Sequence, residues 1–344
     1  MRISRRFIFL LFFILAIILV TCFFILKSNW FKKDNLWLNL NNFLEQENKE
    51  IKMIFVGDIM LNRGVEYMIN KYGKGDYKFP FLKIADYLNN ADVLFGNLES
   101  VISDKGVNVG SIYSFRADPK AINGLKYAGF DIVSVANNHI FDYGRESMED
   151  SFNRLNESDI KYIGGGFTKE EACQPKIIKV EDSSTSSGQV KIGFLGYTAV
   201  GSRYWEAEET GSGICWLDEN IKQDIVKAKE KSDLVVVSAH WGDEYQSEPN
   251  DQQKYWGHFM IEAGADLVIG HHPHTIQTIE EYNEGYIVYS LGNFIFDQGF
   301  SKETMTGNIL QVLVEAGKIK EVNLKEIKIN NFFQPVLLFD AELP

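Results

Sequence analysis

The chain contains little cysteine, which limits how it can be held together. Only three of its 344 residues are cysteines, at positions 22, 173 and 215. Scaffolds built on disulfides are far denser in cysteine, so that class is excluded. A bridge between Cys173 and Cys215 is compatible with the sequence but does not follow from it. The 45% hydrophobic content is enough for one large domain or two ordinary ones.

Basic residues are also in short supply. Lys and Arg number 35 against 47 Asp and Glu, which gives a net charge of −12. Leaving out the six basic residues that flank the N-terminal apolar run takes the remainder to −18. Such a domain repels polyanions at long range, so we expect no nucleic acid partner. No nucleotide loop is present either, because GGGF at 164–167 lacks the required spacing and is interpreted as a turn.

The N-terminal region lacks a cleavage signal. An uncharged apolar run of about 20 residues follows the basic start MRISRR, and it is long enough to cross a bilayer as a helix. A cleavable signal peptide has a shorter apolar region and a small-residue cleavage site. We therefore predict a cytoplasmic tail at 1–6, a single-pass transmembrane signal-anchor at 7–26 and a stalk at 27–50. The C-terminal domain is then extracellular and held at the cell membrane.

Short apolar runs alternate with amphipathic segments after the predicted stalk. The runs are rich in Val, Ile, Leu and Phe, as buried strands are. Residues 144–155 and 218–231 have apolar positions at helical spacing. This alternation predicts an α/β core over residues 51–304, and the strand-rich residues 305–344 are expected to complete the domain.

Histidine is scarce, and half of it lies in one place. Three of the six histidines belong to GHHPHT at 270–275. Each imidazole needs hydrogen-bond partners when buried, so three in one short stretch are hard to satisfy by packing. Neutral imidazole is a common ligand of zinc, iron and manganese, and the stretch therefore favours a metal site. By contrast, His258 lies in a helical segment and is interpreted as structural.

Five apolar runs end in residue types that bind metals. Ligands bind at the carboxyl ends of strands in open α/β sheets, so these endings predict one convergent site. Taken singly, each residue is equally compatible with a helix cap or a turn. The mixture of carboxylate, carboxamide and imidazole suits manganese, iron or zinc, and a two-metal site with one bridging carboxylate. The endings are Asp58; Asn97 and Glu99; Asn137, Asn138 and His139; His240 and Asp243; and His271, His272 and His274.

The order of these motifs resembles the calcineurin-like metallophosphoesterase superfamily, and most closely its CapA branch of poly-γ-glutamate capsule biosynthesis proteins. The resemblance covers roughly residues 52–300 and implies a metallophosphoesterase-like α/β sandwich, with sheets flanked by helices, that binds one or two divalent ions. The matching stretches are VGDIMLNRGVE (56–66), FGNLES (95–100), VANNHIFDYG (135–144), AHWGDEY (239–245), GHHPHTIQ (270–277) and YSLGNFIFDQ (289–298).

The resemblance also implies a role for individual residues. His139 would be the general acid, and Glu99 would be the carboxylate that bridges two metals. Met60 stands where the first motif of the superfamily has a histidine, which weakens one metal position and counts against ordinary phosphatase activity. The implied metal ligands are Asp58, Asn97, Glu99, Asn138, His240, His272 and His274, with His271 and Asp243 as further candidates.

Two functions remain open at this point. The first is a membrane-anchored extracellular component of poly-γ-glutamate synthesis or export, whose partners would be the bilayer, the polymer and other membrane subunits of a polymer synthase. The alternative is a metal-dependent cell-surface hydrolase that cleaves a phosphoester or an amide. The sequence does not decide whether the chain is an enzyme. A purely non-catalytic domain is disfavoured, because it has no use for so many desolvated polar groups.

Overall fold

The computed structural model describes Lys27 and residues 50–182, 185 and 187–338. The predicted tail, the transmembrane run and nearly all of the stalk lie outside the described residues. Among the residues that are described, no helix has both the length and the apolar character needed to cross a membrane.

Strands make up most of the framework. In chain order they are β1 Ile51–Ile59, β2 Val93–Leu98, β3 Val101–Ile102, β4 Arg116–Ala117, β5 Ile132–Ser134, β6 Lys161–Ile163, β7 Gly165–Gly166, β8 Lys176–Glu181, β9 Gln189–Thr198, β10 Gly213–Ile214, β11 Leu234–His240, β12 Leu267–His271, β13 Ile279–Tyr282, β14 Gly285–Val288, β15 Asn293–Ile295, β16 Thr306–Glu315, β17 Lys318–Ile329 and β18 Pro335–Leu337.

Helices connect these strands. They are α1 Arg63–Lys71, α2 Ala85–Leu88, α3 Ala121–Ala128, α4 Gly144–Glu157, α5 Lys169–Cys173, α6 Ile221–Lys231 and α7 Asp251–Ala263, with short 3-10 turns at Phe79–Phe81, Arg203–Trp205 and Glu303–Met305. The helices predicted at 144–155 and 218–231 are confirmed as α4 and α6. The second begins three residues late, because Asp218 forms a turn that bonds the backbone of Asn220 at 2.9 Å.

The strands form two main sheets whose central strands run parallel. The first has the order β18-β17-β16-β1-β2-β5-β6, and β15 also pairs with β1. The second has the order β13-β14-β12-β11-β9-β8. Within them, β1, β2, β5 and β6 are mutually parallel, as are β9, β11, β12 and β14. Parallel strands bring their carboxyl ends to a common edge, and that geometry determines where the candidate site lies.

Side chains along each strand alternate between the two faces of its sheet. One hydrophobic core therefore lies between the sheets, and one further core lies on the outer face of each sheet. Phe55 and Phe95 belong to the central core, where Phe95 stacks on Phe194 of the second sheet with ring centroids 6.0 Å apart. Helices α1, α3 and α4 cover the outer face of the first sheet, while α6 and α7 cover that of the second. The predicted α/β sandwich with sheets flanked by helices is therefore confirmed.

Two local features go beyond the sequence prediction. The GGGF stretch is not a plain turn, because Gly165 and Gly166 form β7 and pair with β10. A side chain at Gly166 would meet the backbone nitrogen of Ala172 at 2.5 Å, so glycine lets α5 lie against this strand. Cys173, at the end of α5, forms a disulfide with Cys215, and their Cα atoms are 5.2 Å apart.

Candidate metal centre

Asp58 lies at the centre of a buried polar cluster at the carboxyl edge of the two sheets. Its Oδ1 accepts a hydrogen bond from Asn97 Nδ2 at 2.8 Å, and its Oδ2 accepts one from the backbone N–H of His272 at 3.3 Å. Burial would raise the pKa of Asp58, but His271 and His274 outweigh burial and lower it well below its usual range. Their Nδ1 atoms lie 3.2 Å and 3.4 Å from the carboxylate. Asp58 is therefore ionised.

Glu99 is fully buried beside Asp58, and its carboxylate oxygens have few hydrogen-bond partners. Asn97 Nδ2 donates to its Oε2 at 3.2 Å. Its Oε1 has no hydrogen-bond partner among the described residues, and the nearest imidazole nitrogens are His274 Nε2 at 3.6 Å and His139 Nε2 at 3.8 Å. Burial, followed by the negative charge of Asp58, raises the pKa of Glu99 well above its usual range. This carboxylate is ionised easily only if a positive charge is nearby.

Two of the buried histidines are held neutral. Burial, with the neighbouring His272 as the next cause, lowers the pKa of His240 well below its usual value. Burial and then His274 lower the pKa of His272 to about 3. His240 Nε2 lies 2.8 Å from Oδ1 of the half-buried Asn138, a contact that joins a loop of the first sheet to a strand of the second. A neutral imidazole is the form that binds metals, so the site favours the ligand state of these residues.

The histidine loop after β12 has a strained backbone. His272 and His274 have φ angles of 96° and 58°, in the left-handed region that side chains rarely adopt. Gly270 precedes them because a Cβ there would lie 1.9 Å from the carbonyl oxygen of Tyr289. The loop is tied from outside by the backbone N–H of Tyr245, which donates to the Pro273 carbonyl at 2.8 Å. Strain of this kind is retained where the surrounding structure enforces it, commonly at functional sites.

The donor set fits a divalent ion. Two sets of three residues bring ligand atoms within 4.8 Å of one another, namely Glu99 with His272 and His274, and Asp58 with Glu99 and His240. Glu99 belongs to both sets, as a bridging carboxylate would. Within the described residues, Glu99 Oε1, His272 Nδ1 and both ring nitrogens of His271 lack hydrogen-bond partners. Buried polar atoms without partners are costly, and a cation bound by Glu99 and His272 would reduce that cost, whereas His271 belongs to neither ligand set.

A third group with ligand-type atoms does not fit a metal. Cys173 and Cys215 lie near Asp224, but the two cysteines form the disulfide and offer no thiolate.

His139 lies beside the cluster but outside both ligand sets. Its Nδ1 donates to Asp142 Oδ2 at 2.7 Å, and its ring stacks on Phe115 with centroids 3.8 Å apart. Asp142 is fixed in turn by the backbone N–H of Phe115, which donates to the same oxygen at 2.7 Å. These contacts leave Nε2 on the side of Glu99. The geometry is that of an oriented imidazole able to transfer a proton.

The structure does not bring every candidate to the cluster. Asp243 is exposed, belongs to neither ligand set and accepts a hydrogen bond from Asn250 Nδ2 at 2.7 Å. The chain turns outward just before it, at Gly242, where φ is 85°. Met60 is buried, and its sulfur accepts a hydrogen bond from the backbone N–H of Asn62 at 3.3 Å, so this position supplies no imidazole. His258 bonds Glu280 and stacks on Tyr282, as a structural histidine does.

Two supporting residues were not predicted from the sequence. Asn293 lies in register with Asp58 across the β1–β15 pair, and its Oδ1 is 2.9 Å from His274 Nδ1. Its Nδ2 donates to the Thr304 carbonyl at 2.9 Å, which fixes the amide and hence the tautomer of His274. Asp142 was also missed. A carboxylate three residues after His139 was the available signal for it.

Comparison with known proteins identifies the family. Residues 52–298 match the family model described as bacterial capsule synthesis protein PGA_cap. The chain belongs to this family. The match extends over nearly the same residues as the motif resemblance, which is therefore confirmed.

Two curated relatives carry related names. Over 273 residues the chain is 36% identical to the capsule biosynthesis protein CapA of Bacillus anthracis, covering 75% of this chain and 62% of that protein. Over 260 residues it is 33% identical to the PGA biosynthesis protein CapA of Bacillus subtilis strain 168, covering 72% and 64%. The chain therefore spans slightly less than two thirds of their length. Among solved structures, a novel phosphatase from Mycoplasma pneumoniae aligns with a TM-score of 0.49 and 14% identity, covering 82% of this chain and 94% of that one.

Proposed function

We propose that this chain is a membrane-anchored, extracellular component of poly-γ-glutamate capsule biosynthesis that holds one or two divalent ions of manganese, iron or zinc. The names of its relatives support the capsule assignment. The observation that carries the metal assignment is Glu99, a buried carboxylate with an unsatisfied oxygen that two sets of ligand atoms share.

The proposed location is supported by the sequence and by the disulfide. The uncharged N-terminal run has the length of a membrane-spanning helix. The Cys173–Cys215 bridge suits an oxidising environment outside the cytoplasm, since disulfides are rare in the cytosol. A reporter fused to the C-terminus should be active only outside the cytoplasm, with the full-length protein in the membrane fraction. A shortened, soluble protein in the medium contradicts this topology.

In the proposed site, some residues bind ions and others transfer protons. Glu99, His272 and His274 would hold one ion, and Asp58, Glu99 and His240 a second. A bound divalent ion polarises a carbonyl or phosphoryl oxygen and lowers the pKa of water. The polymer would be the ligand at this site. A domain of charge −18 repels a polyglutamate chain, so the carboxylates of the polymer need a cation to approach it.

A metal-dependent hydrolase is the second candidate, favoured by the His139–Asp142 pair. The Asp142 carboxylate holds His139 Nδ1 at 2.7 Å and so fixes the ring, while Phe115 holds its plane. His139 Nε2 is then able to give a proton to a leaving group. The bond cleaved would be a phosphoester or a γ-glutamyl amide. Other membrane subunits of a polymer synthase are proposed as partners in either case.

Metal analysis of the full-length protein tests the proposal. The purified chain should contain about one to two equivalents of manganese, iron or zinc, and chelation should lower its melting temperature because an ion bound only to the native state stabilises it. Glu99→Gln should lose both ions, since it removes the charge shared by both ligand sets. His258→Ala, outside the cluster, is the control and should keep them. A wild-type protein that holds no metal and does not respond to added manganese or zinc contradicts the proposal.

A further inference from the structure

Arg63 is a cationic side chain in the wall of the candidate site. Its guanidinium carbon is 4.8 Å from the centroid of the Phe115 ring, and that ring stacks on His139 with centroids 3.8 Å apart. Phe115 therefore connects the arginine to the imidazole beside the ligand cluster. A guanidinium has no acceptor atom and cannot be a metal ligand, so the position of Arg63 next to the site requires another explanation.

The backbone holds Arg63 in an unfavourable conformation. Its φ angle is 53°, in the left-handed region that residues other than glycine adopt infrequently. The chain is tied down on both sides of it. The backbone N–H of Met60 donates to the Ile295 carbonyl at 2.8 Å, and that of Gly64 donates to Asp297 Oδ2 at 2.8 Å. Such strain persists where the surrounding structure enforces it, and it is concentrated at binding and catalytic sites.

Asp297 fixes the guanidinium of Arg63 without covering it. The Asp297 carboxylate accepts a hydrogen bond from Arg63 Nε at 3.1 Å and a second one from Nη2. The acid is the buried member of the pair, since its side chain is 9% exposed against 32% for that of Arg63. No residue in the described part of the chain accepts a hydrogen bond from Arg63 Nη1. A molecule that approaches this pair from solvent therefore meets the arginine first.

The remaining donors of Arg63 suit an anionic oxygen. A guanidinium presents five N–H groups in a rigid fork that matches carboxylate and phosphate, and Asp297 engages two of them. Asp297 is also partly compensated by the N-terminus of α1, through the N–H of Gly64. Since the guanidinium is already held in place, little side-chain entropy is lost when it binds a ligand.

We propose that Arg63 is a specificity-determining residue, which binds a second anionic group of a ligand whose first anionic group is held at the metal centre. The ligand class is a linear polycarboxylate. The inference rests on the proposed function, which supplies a γ-glutamyl polymer as the ligand. Each repeat of this polymer carries a free carboxylate, so a chain with one repeat at the ions offers the carboxylate of a neighbouring repeat to Arg63.

The test measures the affinity of two γ-linked glutamate tetramers for the full-length protein by calorimetry. One tetramer has all its carboxylates, and in the other all but one are converted to amides. Arg63→Gln should weaken binding of the first by about 10- to 100-fold, as expected for the loss of a hydrogen bond between charged groups, and leave binding of the second unchanged. Arg63→Lys should recover only part of the loss, because an ammonium group does not reproduce the fork.

Lys120→Gln is the matched control, because it removes one exposed positive charge that forms no ion pair with a described residue. It should bind both tetramers as the unmodified chain does. Metal content and melting temperature are measured for every variant, and the metal content should not change. If Arg63→Gln does not fold, Arg63→Lys serves the same comparison of the two tetramers.

Two outcomes overturn the proposal. Equal weakening for both tetramers shows that Arg63 only supports Phe115 and His139, and unchanged binding of the first tetramer shows that Arg63 does not contact it. Failure of the proposed function gives a different result. An unmodified chain that binds neither tetramer contradicts that function and this inference together, whereas a chain that holds metal and binds the first tetramer independently of Arg63 contradicts this inference alone.

Discussion

His139 is the residue on which catalytic and binding roles are most clearly separated. Because it lies outside both ligand sets, His139→Asn should retain metal, while any hydrolytic rate should fall by about 10²–10⁴, the usual contribution of general acid–base catalysis. Metal content and turnover of phosphoester and γ-glutamyl substrates are measured on the same preparation. His240→Asn is the matched variant and should lose metal.

The comparison of these two variants has three informative results. Loss of metal from both would make His139 a ligand. A wild-type protein that turns over no substrate but keeps its metal contradicts the hydrolase candidate alone. Capsule formation that persists with His139→Asn and disappears with His240→Asn assigns the metal to binding or structure.

At the residue scale, the sequence predicted the candidate ligands that follow strand ends, but not the residues that orient those ligands. Asp58, Glu99 and His240 follow buried apolar runs, so their convergence could be inferred from topology. Asn293 and Asp142 act by orienting histidines, and which side chain faces which imidazole depends on sheet pairing and loop path that no periodicity encodes. The ligand roles themselves stay predictions until metal is measured.

At the element scale, the strand-to-loop transition after β12 depends on the absence of a side chain. Gly270→Ala would place a Cβ 1.9 Å from the Tyr289 carbonyl and 2.5 Å from Trp241 Nε1. We expect a loss of about 1–3 kcal/mol of unfolding free energy, as for other overpacked sites, together with reduced metal content. The measurement is urea unfolding with metal analysis.

Gly299→Ala is the matched control for that substitution. Its Cβ would meet no atom of the described residues within 4 Å, and its φ is not left-handed. Stability should be unchanged or slightly higher, because alanine restricts the unfolded chain. Equal destabilisation by both alanines would show that backbone flexibility, and not the close approach of β12 to Tyr289, is what matters.

Helix α4 holds the start of the loop of residues 103–115 through Asp150, which gives a pH prediction. Burial would raise the pKa of Asp150, but hydrogen bonds from Arg154, Ser103 and Lys105 outweigh it and lower the pKa. A lowered carboxyl pKa stabilises the fold above the unfolded value, about 3.9. This stability is lost as the pH falls through the folded value.

The prediction is therefore that Asp150→Asn lowers the urea midpoint at neutral pH and that its difference from wild type shrinks below about pH 4. Asp104→Asn is the control, because this exposed partner of Arg154 should contribute little. A difference that is independent of pH contradicts the ionic role of Asp150.

Elements with a strong hydrophobic period could be predicted from the sequence, whereas elements defined only by strand pairing could not. Helix α4 follows from helical spacing, and β16 and β17 lie within the residues 305–344 that were expected to be rich in strands. Strand β7 does not, because two glycines carry no pattern and form a strand only where β10 and α5 lie beside them.

At the scale of the whole molecule, the disulfide is the main covalent constraint in the described residues. It joins positions 42 residues apart, and closing a loop of this size contributes about 2–4 kcal/mol. Cys173→Ser with Cys215→Ser should lower the melting temperature and leave the metal content unchanged, because neither cysteine contacts the cluster. Cys22→Ser should match the wild type. Loss of metal from the double variant would mean that the bridge supports the site itself.

The residue pattern alone predicted the α/β class, whereas the sandwich of sheets followed only from the family resemblance. Apolar runs alternating with helices are compatible with one open sheet or with two. The division arises because β8 and β9 start a second sheet after β6, and this choice depends on long-range packing such as that of Phe95 on Phe194.

Strand β1 takes partners from both ends of the domain, since β2 follows it closely while β15 and β16 arrive more than two hundred residues later. β1 leaves the ribosome or the translocation channel before β15 and β16 do. The first sheet therefore cannot be completed until nearly the whole domain has emerged. Asp58 meets Asn293 only at that moment. On the proposed topology the chain would by then have crossed the membrane, and ions bound at the proposed centre would be those of the outside medium and not those of the cytoplasm.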